Sequence, residues 1–75
     1  MIINNDREPK YSLVYIGSVL LEHLNSNKGS SINDLYMLIK NIIDKNIHID
    51  FLYYTLDWLF ILDKIKLEGD RIIKC

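Results

Sequence analysis

The fold is decided by one stretch of the sequence, DFLYYTLDWLFILDK, which covers residues 50–64. Residues 51–62 are its densest apolar part, interrupted only by Thr55 and Asp57. This pattern predicts a helix from Phe51 to about Lys64, with Asp50 as its N-cap. The apolar part is too short to cross a bilayer, which requires about 20 apolar residues.

This predicted helix has more than one apolar side when its residues are placed at about 100° intervals. One stripe is Leu52, Leu56, Leu59 and Leu62; a second is Phe51, Tyr54, Trp58 and Ile61; and Tyr53 and Phe60 lie on a further side. Asp50, Asp57 and Lys64 form the polar wedge, which we interpret as solvated. So small a domain cannot cover a helix that is apolar around most of its circumference, so part of it should contact another chain.

We expect the leucine stripe to face the core, because aliphatic side chains suit tight packing. The side of Tyr54, Trp58 and Ile61 is then the interface, since Trp and Tyr dominate binding hot spots. Periodicity alone cannot orient a two-striped helix, so the reverse orientation stays open. The candidate interface residues are Phe51, Tyr53, Tyr54, Trp58, Phe60 and Ile61.

The flanking sequence predicts two earlier helices and a later hairpin. A first helix runs from an N-cap at Ser12 to about Asn25, with Leu13, Ile16, Gly17, Leu20 and Leu24 on one stripe. We expect another helix to approach Gly17 closely, since glycine is otherwise costly in a helix. A second helix begins at Ser30 or Ser31 and has an apolar face of Ile32, Leu35, Leu38, Ile39 and Ile42. Residues 65–75 form a hairpin that turns at Gly69.

This order of elements predicts a mainly α fold with a small β-hairpin, a winged helix-turn-helix of three helices plus a wing. The 75 residues are enough for one domain, 1–75, with a short N-terminal arm of residues 1–10 that ends near Pro9. The hydrophobic share of 49% is generous for so small a domain, which again indicates a protein partner. With Cys75 as the single cysteine, no internal disulfide forms, and with no signal-peptide pattern we expect a cytoplasmic protein.

The charged and polar residues predict neither an enzyme nor a dedicated nucleic-acid module. Nine Lys or Arg against ten Asp or Glu give a net charge of −1, whereas nucleic-acid modules usually carry a basic excess. His23, His48 and Cys75 do not have metal-ligand spacing, and the three glycines form no phosphate-binding loop. We therefore expect no catalytic residue, no cofactor and no metal.

A family resemblance rests on residues spread over nearly the whole chain. They are Pro9, Ser12-Leu13, Ile16-Gly17, Leu20-Leu21, the stretch from Phe51 to Ile65 with Leu56-Asp57-Trp58-Leu59-Phe60 at its centre, Gly69-Asp70-Arg71-Ile72 and Cys75. In these residues the chain resembles the small middle components of bacterial three-component systems built around an ABC ATPase, specifically the group called middle component six. The resemblance implies a winged-helix adaptor that links an SMC/RecF-like ABC ATPase to an effector such as a nuclease, in conflict with phages and plasmids.

Two functional hypotheses follow. The first is this non-catalytic interaction module, which contacts DNA only indirectly or weakly, binds no membrane, and leaves self-association open. The second is a small winged-helix DNA-binding transcriptional regulator whose wing places Lys66, Arg71 and Lys74 on phosphates. The third helix favours the first hypothesis, because it offers Leu, Tyr, Trp and Phe where a recognition helix presents Arg, Lys, Asn or Gln.

Overall fold

Three helices and a two-stranded hairpin follow one another in the computed structural model of the chain, which describes residues 11–26 and 29–75. The elements are α1 (Leu13–Ser26), α2 (Ile32–Ile42), α3 (Ile49–Ile61), β1 (Ile65–Glu68) and β2 (Arg71–Lys74). This order confirms the predicted winged helix-turn-helix. The predicted N-terminal arm, residues 1–10, lies outside the described residues.

The first two helices begin at the serines that the sequence indicates. The Ser12 hydroxyl accepts a hydrogen bond from the Tyr15 backbone N–H at 3.0 Å. The Ser31 hydroxyl accepts one from the Asp34 backbone N–H at 3.1 Å. Each bond satisfies one of the free N–H groups of a first helical turn, which confirms Ser12 as an N-cap and selects Ser31 over Ser30 for α2.

The start of α3 differs from the prediction by two residues. The N-cap is His48, whose Nδ1 accepts a hydrogen bond from the Asp50 backbone N–H at 3.0 Å. Asp50 lies inside the first turn, where a carboxylate interacts favourably with the helix dipole. The prediction of Asp50 as the cap was therefore wrong, because a histidine nitrogen performs that role here.

The end of α3 is also earlier than predicted. Asp63 has a positive φ of 59°, and its N–H donates to the Phe60 carbonyl, while the Lys64 N–H donates to the Leu59 carbonyl at 2.9 Å. These two bonds around a left-handed residue form a Schellman motif, which stops the helix. The chain leaves the helical path before Leu62 can reach the core, and the Leu62 side chain is 45% exposed. The expectation that Leu62 faces the core was wrong.

The hairpin is joined to the chain segment before α2. Within it, Ile65 pairs with Lys74 and Glu68 with Arg71, and Gly69 turns the chain with a φ of +66°. Ser30 then forms an antiparallel bridge to Ile72, with N···O distances of 3.1 and 2.8 Å. Ser30, just before α2, thus attaches to the outer side of the wing through a single-residue bridge.

The core lies between the three helices and the inner side of the hairpin. Its fully buried apolar residues are Ile16, Leu20, Leu24, Leu35, Ile39, Ile47, Leu52, Leu56, Leu59, Ile65 and Ile72. The α1 stripe is confirmed from Ile16 to Leu24, whereas on α2 only Leu35 and Ile39 are buried and Ile32 and Ile42 are exposed. Leu38 of the predicted α2 face is partly buried and packs against the core, so only Ile32 and Ile42, at the two ends of the helix, are left outside it. None of the helices in the described segments combines the length and the apolar character that crossing a membrane requires.

Candidate protein interface

The core side of α3 carries three of the four leucines predicted to be there. Leu52, Leu56 and Leu59 are almost completely inaccessible to solvent. Thr55 is buried between them, and its hydroxyl donates to the Phe51 carbonyl at 2.7 Å, so this buried polar group is hydrogen-bonded. These residues orient the helix, and the predicted inward direction of the leucine stripe is confirmed except at Leu62.

Trp58 lies on the border between the core and the surface rather than on the exposed side. Its indole ring is half-buried and packs over Gly17 of α1. A Cβ atom placed on Gly17 would lie 3.0 Å from Trp58 Cζ3 and 3.6 Å from Leu59 Cδ2. The expected close approach to Gly17 is confirmed, and it comes from α3. The expectation that Trp58 points outward with Tyr54 and Ile61 was wrong in part, because the absence of a side chain at Gly17 lets the ring settle inward.

Phe51 is half-buried in a similar way at the start of the same helix. Its ring stacks on Tyr11, with centroids 4.9 Å apart and an interplanar angle of 28°. Tyr11 donates its hydroxyl to the Asp44 carboxylate in the turn before α3. The Tyr36 hydroxyl donates to the Ile47 carbonyl at 2.8 Å in the same turn. These contacts hold the turn and the first residues of α3 against the rest of the domain.

The exposed side of α3 is an unusually apolar surface. Tyr53, Tyr54, Phe60 and Ile61 all expose large side chains there, with Tyr54 58% and Ile61 79% exposed. Together with Asp57, these four residues are named the α3 patch below. They cover about 120° of the helix circumference, as follows from about 100° per residue. In a helix-turn-helix this is the position from which a recognition helix presents polar side chains to bases. The α3 patch instead offers three aromatic rings, one aliphatic chain and one carboxylate, and Asp50 in the first turn of α3 adds a second exposed carboxylate on the same side of the helix.

Asp57 was predicted to belong to a solvated polar wedge, and in the structure its carboxylate is exposed between apolar neighbours. Its side chain is exposed, but its neighbours three and four positions away along the helix are the four apolar members of the α3 patch. Within the part of the chain that the structure describes, no hydrogen bond or ion pair involves the Asp57 carboxylate. The apolar residues three and four positions from Asp57 are visible in the sequence. They indicate an apolar surface around Asp57 only once the outward side of the helix is known.

The basic residues of the wing are not brought together on one side. Lys74 pairs with Ile65, and Lys66 pairs with Ile73. Because neighbouring residues of a strand point to opposite faces, Lys74 and Lys66 lie on opposite faces of the hairpin. Arg71 shares a face with Lys66, but its guanidinium donates to the Gly29 carbonyl at 3.0 Å, and Glu68 lies directly across from it. The three predicted phosphate contacts therefore do not form a single basic surface.

Other polar groups form local structural contacts. His23 Nε2 lies 3.1 Å from the Ser30 hydroxyl, a contact between α1 and the link before α2 that sequence spacing did not indicate. Ser30 is buried beside Ile72, so its hydroxyl faces the interior and not a cleft. Among the described residues, no group of three or more His, Cys, Asp or Glu side chains is arranged to hold a metal ion.

Comparison with known protein families identifies the family of this chain. A family model described as ABC-three component (ABC-3C) system Middle Component 6 matches residues 3–75. No curated protein and no solved structure matches the chain. The match covers all of the described helices, the hairpin and the α3 patch, and it agrees with the family to which the residues of the first and third helices point. The chain belongs to the Middle Component 6 family of ABC-three component systems.

Proposed function

We propose that this protein is a non-catalytic adaptor that couples an SMC/RecF-like ABC ATPase to an effector such as a nuclease, in a cytoplasmic bacterial complex that defends against phages and plasmids. Membership in a middle-component family supports a role between other subunits. The observation that carries the proposal is the α3 patch, which leaves Tyr54 and Ile61 exposed on a helix whose other side is fully packed.

The patch favours a protein partner over a nucleic acid on chemical grounds. The centres of protein interfaces are enriched in aromatic side chains and depleted of charge, which fits Tyr53, Tyr54 and Phe60. A DNA-binding helix would need cations facing the phosphates, and the α3 patch has a carboxylate instead. The half-buried rings of Phe51 and Trp58 border the patch and widen the surface on which a partner would rest.

Binding to the ATPase component of the same system tests the proposal. We expect Tyr54→Ala combined with Ile61→Ala to weaken binding by about 30-fold or more, which corresponds to a loss of about 2 kcal/mol at a hot spot. Val14→Ala is the matched control, because Val14 is 68% exposed on α1 and also loses an apolar side chain. Trp58→Ala is less suitable, since removing the ring also opens a gap beside Gly17.

The measurement is isothermal titration of the purified ATPase, and in parallel of the purified effector, with the wild-type chain and each variant. Equal affinity of the Tyr54/Ile61 double variant and of wild type for both components would refute the α3 patch as the interface. A gel-shift titration near physiological salt tests the regulator hypothesis. Sub-micromolar, sequence-selective DNA binding by the chain alone would favour the regulator over the adaptor.

A further inference from the structure

The position of Asp57 at the centre of the α3 patch restricts which partner the patch can accept. Tyr53 and Tyr54 lie one turn before Asp57 on the helix, and Phe60 and Ile61 lie one turn after it. A partner that covers these four side chains must also cover the carboxylate between them. The carboxylate would then lose its water.

Covering this carboxylate without a counter-charge would be unfavourable. An ionised carboxylate transferred out of water without a partner has a large free-energy penalty, far above the gain from one apolar side chain. Among the described residues, no cation of the same chain pairs with Asp57. Lys64, the nearest base in sequence, lies in the Schellman motif that ends α3 and not on the helix itself. The counter-charge therefore has to come from the partner.

We propose that the α3 patch binds a partner surface in which one arginine, surrounded by apolar side chains, pairs with Asp57. This inference rests on the proposed adaptor function and specifies the chemistry of its partner. Arginine suits the site better than lysine, because its planar guanidinium is weakly hydrated, bonds a carboxylate in bidentate fashion and stacks on aromatic faces such as those of Tyr53 and Tyr54.

A second copy of this chain is a poor occupant of the same surface. In a two-fold antiparallel contact of α3 with itself that pairs Tyr54 with Ile61 of the other copy, Asp57 would lie close to its own symmetry mate. Two carboxylates would then face each other in an apolar interface, which is unfavourable. Nucleic acid is disfavoured for the related reason that its phosphates would approach this carboxylate.

The sign of the effect of Asp57→Asn on affinity tests the inference. This variant keeps the shape of the side chain and removes its charge. If an arginine pairs with Asp57, we expect affinity for the binding component to fall at least about tenfold, and to depend less on salt than in wild type. If the partner is purely apolar there, affinity should rise, because an unpaired charge no longer has to be desolvated. Glu22→Gln on the exposed side of α1 is the matched control for the change in net charge.

Titration calorimetry with the purified ATPase and effector components separates the outcomes. The proteins compared are wild type, Asp57→Asn, Glu22→Gln and the Tyr54/Ile61 double variant. Loss of affinity in the double variant with unchanged or tighter binding of Asp57→Asn overturns this inference and leaves the adaptor function standing. Failure of the wild-type chain to bind either component overturns both. A dimer of the chain in sedimentation velocity that becomes tighter with Asp57→Asn assigns the surface to a second copy and also overturns the inference.

Discussion

The contact between Gly17 and Trp58 predicts that Gly17→Ala destabilises the wild-type protein but stabilises a variant that lacks the Trp58 ring. Gly17→Ala should raise the free energy of unfolding through helix propensity by about 1 kcal/mol, because glycine is unfavourable inside a helix. In this protein, however, the new methyl group would lie 3.0 Å from Trp58 Cζ3, which is closer than an ordinary carbon–carbon contact of about 3.5–4.0 Å. The ring or the helix therefore has to move by several tenths of an ångström.

Such overpacking typically costs about 1–3 kcal/mol. The Trp58 ring is only partly buried, so it can tilt toward solvent, which favours the lower part of that range. After the gain in propensity is subtracted, we expect Gly17→Ala to destabilise the domain by up to about 1 kcal/mol, which lowers Tm by up to about 4–8 °C for a domain of this size. With Trp58→Leu already present, the obstacle is gone, and the same substitution should stabilise by about 1 kcal/mol.

Urea unfolding followed by far-ultraviolet circular dichroism measures all four corners of this double-mutant cycle. Asn25→Ala is the control for helix propensity, because Asn25 is exposed near the end of the same helix. This variant should be slightly more stable than wild type. The reasoning is refuted if Gly17→Ala stabilises the wild-type background as much as it stabilises the Trp58→Leu background. That result would mean that the ring does not restrict residue 17.

Two further predictions concern the ends and sides of α3. Leu56→Ala should lower the free energy of unfolding by about 2–5 kcal/mol, because Leu56 is buried. Leu62→Ala should lower it by less than about 1 kcal/mol, because Leu62 is exposed. Equal losses for the two variants in urea unfolding would contradict this assignment. Asp63→Gly should stabilise the domain by up to about 1 kcal/mol, since relief of the left-handed strain exceeds the extra entropy of glycine in the unfolded chain. A Tm for Asp63→Gly below that of wild type would show that the aspartate stabilises the Schellman motif.

The sequence predicts the fold here because several local signals agree. Ser12 and Ser31 each precede an apolar helical pattern, and Gly69 is flanked by short alternating strands, so elements and order follow from local chemistry. The core stripe of α1 also follows from 3.6-residue periodicity. Periodicity does not show that a residue with left-handed backbone, here Asp63, ends the helix. Leu62 was expected in the core for this reason.

The candidate interface could be predicted only in part, because its details depend on contacts between distant segments. Helical spacing groups Trp58 with Tyr54 and Ile61, but Gly17 on another helix decides that the indole turns inward. Phe51 is likewise withdrawn from the surface by Tyr11, forty positions earlier in the chain. Helical spacing correctly predicts an exposed Asp57, but only the packed direction of the helix shows that its exposed neighbours form an apolar surface.

The bridge between Ser30 and Ile72 determines how mechanical load would travel through this domain. Its two hydrogen bonds, at 3.1 and 2.8 Å, join the residue just before the N-cap of α2 directly to the hairpin. A pull applied between Ser30 and the hairpin would therefore load these two bonds first, because α2 and α3 lie within the chain loop that the bridge closes. Tension on this bridge would therefore reach the chain path through α2 and α3 only once the bridge breaks, and the wing would be strained before the surface of α3.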